Sequence, residues 1–207
     1  MLADNALTTL ERLKTMLGLW EEEDEKTDAM LEMLINKASA WVERQVGRSL
    51  AKKEYVHWFY ADGQQELTTL EYPITEVHYV KQDGALVDPS TYDYGQTAGI
   101  GVIYRDKGWM RAGYRRGLAN DIVETKRCIE VSYSAGYVLP KDATEEDPQT
   151  LPADLEGLVW EMASQAFANM MNGSEGLKSF SISDVRWDFD KSVHAEWTQL
   201  LNLYKRY

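Results

Sequence analysis

The hydrophobic period of this chain changes twice, and that constrains its fold more than any other feature. Between Thr8 and Gly47 apolar residues recur at three- and four-residue steps. From about Lys53 to Tyr137 they form short runs rich in aromatic and β-branched residues, separated by turn residues. After Pro152 the helical step returns. Neither helical stripe can be buried alone, so the two ends are expected to pack on each other while the middle projects as an insertion. The fold class is therefore α+β, mainly a bundle of about four helices with an antiparallel β insertion. Residues 1–50 supply the N-terminal helices, 51–140 the insertion, and 141–207 the helices that complete the bundle. In particular, the stripe of Leu31, Leu34 and Ile35 is expected to meet that of Leu155, Val159 and Met162.

Local signals place the elements. Thr8-Thr9-Leu10-Glu11 reads as a capping box, and Gly18 and Gly47 offer left-handed stops to the first two helices. The acids from Glu21 to Glu25 precede the second helix, where they suit the positive end of its dipole better than a metal. Tyr55–Tyr60 and Gln65–Leu70 flank Ala61-Asp62-Gly63 and read as a hairpin; Thr75–Lys81 runs into Asp83-Gly84, the pair that two-residue hairpin turns prefer. Gly101–Arg105 and Lys126–Tyr133 complete about six strands, and the acidic stretch between Pro140 and Pro152 suits an exposed connection.

Composition narrows the class of function. The chain of 207 residues has 22 Lys+Arg against 34 Asp+Glu, a formal charge of -12, and 7 Trp, 12 Tyr and 4 Phe. The aromatics argue for a folded core; the charge disfavours a DNA-wrapping or anionic-membrane surface. No apolar run approaches the roughly 20 residues that span a bilayer, and MLADNALTTL lacks a basic stretch followed by an apolar one, so the expectation is a cytoplasmic protein. The single cysteine, Cys128, sits in a strand-like run and reads as a packed residue.

Motifs of catalysis are weak. His57, His78 and His194 lack the spaced partners of a metal site and read as structural. Asp184, Asp188 and Asp190 miss the glycine of a calcium loop, and Gly99-Ile100-Gly101 has Tyr104 where a dinucleotide fingerprint needs its third glycine. No catalytic residue, metal or cofactor is implied; a hydrolase built on scattered carboxylates is the least supported reading.

One segment stands apart. In Arg105–Arg116 the cations Arg105, Lys107, Arg111, Arg115 and Arg116 face Asp106 alone, with Trp109 and Tyr114 between them. Such a loop suits contact with an acidic protein surface, including another copy of this chain; it also suits stacking and phosphate contact in a nucleic-acid-binding module, or simple solvation.

The order of several segments resembles the head-tail connector, or adaptor, proteins of long-tailed bacteriophages. The resemblance is carried by LTTLERLKTMLGL from Leu7 to Leu19, by Ala38–Arg48 (ASAWVERQVGR), by Tyr72–Val77 (YPITEV) before Asp83-Gly84, by Ile129–Tyr137 (IEVSYSAGY) and by Leu151–Leu155 (LPADL). It implies a non-enzymatic virion protein that assembles in the host cytoplasm as a dodecameric ring under the portal protein. That ring would join the DNA-filled head to the next neck, stopper or tail-completion protein, with genomic DNA passing unbound and no membrane involved. The resemblance further implies that the last helix docks on the portal, with Trp197, Leu200, Leu201, Tyr204 and Tyr207 as anchors; the sequence adds that this stripe follows a loose segment containing Gly173 and Gly176, while its spacing suits equally a helix folded back on its own core.

Overall fold

A computed structural model describes residues 1–19, 21, 24–97, 100–110, 127–173 and 191–205. The chain forms two compact units: Met1–Ala51 with Tyr137–Tyr207, and Lys52–Gly136. The first is helical and the second is built of strands, which makes the fold α+β.

In the helical unit, α1 (Leu10–Leu17), α2 (Glu25–Val46), α3 (Ala153–Gly173) and α4 (Lys191–Asn202) follow in chain order. The cap of α1 is Thr9, one residue later than the box read from sequence: its hydroxyl accepts from the Arg12 amide. Thr8 is drawn instead into a buried contact with α3, described below. Gly18 (φ 75°) and Gly47 (φ 77°) take the left-handed conformation that ends α1 and α2. Asp24 caps α2, and its bonds from the Thr27 hydroxyl and the Lys26 and Thr27 amides hold its carboxyl below the ordinary value.

Residues 1–7 run as a strap along α2, a contact that periodicity could not reveal. The Ala3 amide donates to Asn36 Oδ1 (2.8 Å), Asn5 Nδ2 to Glu43 Oε2 (2.7 Å) and the Leu7 amide to Ser39 Oγ (3.0 Å). The acceptors lie three to four residues apart on one helical face, and a turn closed by the Ala6 amide on the Ala3 carbonyl (3.0 Å) lets the Ala3, Asn5 and Leu7 donors follow that face.

The apolar stripes of α2 and α3 meet as the double change of period requires, with a shift. Ala38, Val42 and Val46 cluster with Leu155, Val159 and Met162, whereas Leu31, Leu34 and Ile35 cluster with Leu13, Ala163, Ala166 and Met170. The helices run antiparallel, so the start of α2 faces the end of α3. That orientation accounts for the difference from the expected pairing.

The β unit contains β1 (Lys53–Tyr60), β2 (Glu66–Thr68), β3 (Ile74–Gln82), β4 (Ala85–Leu86), β5 (Asp93–Thr97), β6 (Ile100–Tyr104) and β7 (Arg127–Ala135). They form two antiparallel sheets, ordered β1-β7-β3-β4 and β2-β6-β5. The β3–β4 hairpin turns at Asp83 (φ 51°) and Gly84 (φ 82°), as the Asp-Gly pair predicts. The hairpin expected between Tyr55–Tyr60 and Gln65–Leu70 does not form: β1 pairs with β7 and β2 with β6. Strand β5 gave no sequence signal because all five residues are exposed and no alternation arises.

Leu67, Val80, Ile103, Trp109, Ile129, Val131 and Tyr133 fill the core of this unit. The backbone of β6 passes so close to its neighbours that a Cβ on Gly101 would lie 2.3 Å from Thr69 Oγ1 and 2.9 Å from Ile74 Cγ1. Buried Tyr133 has its hydroxyl 2.9 Å from His57 Nδ1 and accepts from the Glu71 amide at 3.2 Å.

Two outcomes follow for stability. Gly101→Ala should destabilise the β unit by about 1–3 kcal/mol through overpacking, while Gly95→Ala, with nothing within 4 Å of the added methyl, should leave the denaturant midpoint nearly unchanged. Burial pushes the Tyr133 phenol up to about 12. An unfolded tyrosine ionises near pH ~10, so the contribution is complete below that pH and is lost as pH rises through the folded value. Tyr133→Phe should therefore shrink the alkaline fall in stability by on the order of 1–2 kcal/mol, read from denaturation midpoints across that window.

Candidate functional site

The residues singled out for contact are distributed unevenly between surface and core. In the β unit Trp109 is fully buried: its indole Nε1 donates to the Gln65 carbonyl at 3.2 Å, and it packs near Tyr92. Arg105 lies over that ring, 5.2 Å from its centroid, and its Nη1 donates to Gln82 Oε1 at 2.9 Å. Gln82 Nε2 in turn donates to the Met110 carbonyl. Arg105 and Trp109 thus fix the base of the segment, and what they offer a partner is small. Lys107 is exposed, beside an open cleft of about 550 Å³ lined by Asp62, Gly63, Gln65, Asp106, Lys107, Gly108 and Met110. Arg111, Tyr114, Arg115 and Arg116 lie outside the described residues.

Sequence reasoning placed Trp109 on an exposed loop because indole and guanidinium alternate there. Gly108 beside it reads in the sequence as a loosening residue, and its close approach to the distant Gly63 could not be foreseen. Gly108 has φ 71° and a Cβ there would approach the Gly63 carbonyl to 2.7 Å, so the backbone turns sharply and drives Trp109 inward.

The α4 stripe is also folded inward. Trp197 and Leu201 are buried with Val42, Leu155 and Val159, and Leu200 and Tyr204 pack against the same cluster. The Trp197 ring meets Trp41 edge-on at 6.2 Å, and its Nε1 donates to Glu161 Oε2 at 3.0 Å. Tyr204 donates its hydroxyl to Asp154, 2.7 Å from Oδ2; burial first, and then this bond, raise its phenol above the ordinary value. In this arrangement the stripe holds the end of the chain to α2 and α3. Leu203 points outward, 76% exposed, and Tyr207 lies outside the described residues.

One polar constellation was invisible to sequence reasoning. Glu156, only 4% exposed, accepts from Thr8 Oγ1 (2.8 Å), Arg12 Nη1 (2.9 Å) and Gln149 Nε2 (3.0 Å), while Trp160 Nε1 donates to Thr8 Oγ1 (2.7 Å). Its members come from four places in the chain, so no local motif could announce it. Every contact is accounted for by a side chain holding another, and the arrangement ties α1 to α3. Among the described residues no group of three His, Cys, Asp or Glu side chains is placed to hold a metal ion. His57 and His78 each bond to a hydroxyl, of Tyr133 and Ser134 respectively, both at 2.9 Å; the side chain of His194 and Asp184, Asp188 and Asp190 lie outside the described residues.

The contacts described so far hold each of the two units together internally, and likeness to known proteins is found at the level of the whole chain and its fold. The family model described as "Head completion protein" matches residues 6–149. The chain belongs to the head completion protein family. No curated protein matches it significantly in sequence. Two solved structures share the fold of this head completion protein over 100% of its length and 93% of theirs. One is a chain of the "Virion of native gene transfer agent (GTA) particle", at 14% identity and a TM-score of 0.54. The other belongs to the "Neck of empty GTA particle computed with C6 symmetry", at 15% identity and a TM-score of 0.55.

For this head completion protein the buried stripe of α4 gives a direct test. Trp197→Ala removes a ring seated against Trp41 and leaves Glu161 without its indole donor, so it should cost about 3–5 kcal/mol of helical-unit stability by chemical denaturation. Replacing exposed Leu203 by Ala should change the midpoint by less than about 0.5 kcal/mol.

Proposed function

We propose that this head completion protein is a structural, non-catalytic connector subunit of the virion neck. It forms a ring, dodecameric as the connector resemblance implies, beneath the portal, and joins the DNA-filled head to the next neck or tail-completion protein. The single observation carrying this reading is the family match over residues 6–149 on a chain that shares its whole fold with a chain of a particle neck. That neck was computed with sixfold symmetry, which a ring of twelve also satisfies.

The charge distribution supports the reading. Residues 52–136 carry 10 Lys+Arg and 12 Asp+Glu, whereas the remainder carries 12 and 22. An acidic wall repels phosphates and lets DNA pass without sticking, while a nearly balanced region is free to make contacts between proteins. The segment Arg105–Arg116 then serves as a contact to an acidic neighbour, through Lys107 and the arginines beyond Met110. Docking of the C-terminal helix on the portal belongs to this proposal in one form: α4 leaves the bundle on binding. Its anchors Trp197 and Leu201 are buried, so release exposes surface worth several kcal/mol that the portal groove must recover.

Electron microscopy of DNA-filled, portal-bearing heads incubated with the protein tests the reading. Ring density at the portal vertex into which both units fit is the expected result. Absence of any binding to heads, together with binding of short DNA that weakens steeply with salt, would replace it with the nucleic-acid-binding reading of the basic segment.

A further inference from the structure

A ring in which each copy meets the next with a different face needs two complementary surfaces on one subunit. The β unit carries two strand edges suited to that task. Among the described residues β1 is the outermost strand of one sheet and β5 of the other. They sit on opposite sides: β7 separates β1 from β3, and β5 packs against β3.

The middle of strand β1 lacks the devices that keep an edge from pairing: its charges, Lys53 and Glu54, and its one irregularity against β7, between Phe59 and Tyr60, fall at its two ends. The strand is eight residues long, and its run Tyr55–Phe59 contains neither proline nor an acidic or basic side chain other than His57. Val56, Trp58 and Tyr60 alternate onto its outer face and are 52%, 49% and 46% exposed. Exposed apolar rows on an open edge mark sites of strand addition. The other edge, β5, is exposed along all five residues, with Tyr94 standing out and Gly95 open enough to admit a side chain. The remaining edge strands, β2 and β4, have three and two residues and are too short to match β1.

We propose that β1 of one copy pairs with β5 of a second copy, extending a sheet from subunit to subunit around the ring. Charge complements the edges in either direction. Asp93 opens β5; Lys53 opens β1, and Arg127 lies over Tyr60 at its far end, 5.4 Å from the ring centroid. Parallel pairing sets Asp93 beside Lys53, and antiparallel pairing sets it beside Arg127. Pairing β1 with β1 would give a closed pair of copies and no ring. The inference rests on the ring reading above and adds the surface through which copies meet.

The test uses the full chain assembled on portal-bearing heads. The double variant Val56→Cys/Gln96→Cys, treated with a short thiol–thiol crosslinker, should give a ladder of multimers; each single variant should give none, and the wild-type chain, whose Cys128 is buried, controls for background. Hydrogen exchange on the unmodified chain supplies a second measurement: amides of β1 and β5 should slow by about tenfold or more on assembly. Rings visible by microscopy with no ladder and unchanged exchange would overturn the β1–β5 contact while leaving the connector reading intact. Dimers from Val56→Cys alone, or crosslinks from it to the portal, would also overturn it. If no multi-copy assembly forms on heads, the contact and the ring reading fall together.

Discussion

The antiparallel contact between α2 and α3 is the constraint on which the helical unit depends. Each helix carries an apolar stripe along most of its length, Leu31 to Val46 on one and Leu155 to Met170 on the other, and neither is stable in water without a cover. Everything else in the unit is arranged around that seam. α1 closes its one end through Leu13, α4 closes the other through Trp197 and Leu201, and the Leu50–Tyr137 backbone bond (2.8 Å) joins the two segments of chain where the β unit departs.

Around the seam, polar contacts provide the specificity that apolar stripes lack. A stripe of leucines permits sliding by one turn, but the strap bonds of Asn36, Ser39 and Glu43 and the buried carboxylate of Glu156 have one register. A buried carboxylate is costly unless its lone pairs are filled, and three donors fill those of Glu156. The arrangement therefore penalises misplacement of α1 more than it adds net stability.

What was legible in the sequence follows from this division. Helix existence, the left-handed stops at Gly18 and Gly47, and the Asp83-Gly84 turn were readable because each is decided within a few residues. The family was readable because its short segments keep their order along the chain. Contacts decided across the chain were not: the role of Thr8, the partner of β1, and the burial of Trp109 depend on residues far away in sequence. The α4 stripe shows the ambiguity most clearly. Its spacing is the same whether it covers its own core or a partner's groove, and periodicity specifies that a face is covered without saying by what.

The discontinuity of the helical unit sets a timetable for synthesis. When α2 leaves the ribosome its partner helix is still about a hundred residues from being made, a delay of roughly 5–20 s at ordinary elongation rates. During that interval the strap and α1 can cover only part of the stripe, whereas the whole β unit can emerge and fold. The nascent chain thus carries a finished β unit while Ala38, Val42 and Val46 wait for Leu155, Val159 and Met162. Apolar surface exposed in that interval is open to aggregation, and slowing translation between residues 52 and 152 lengthens its exposure without altering the protein's final stability.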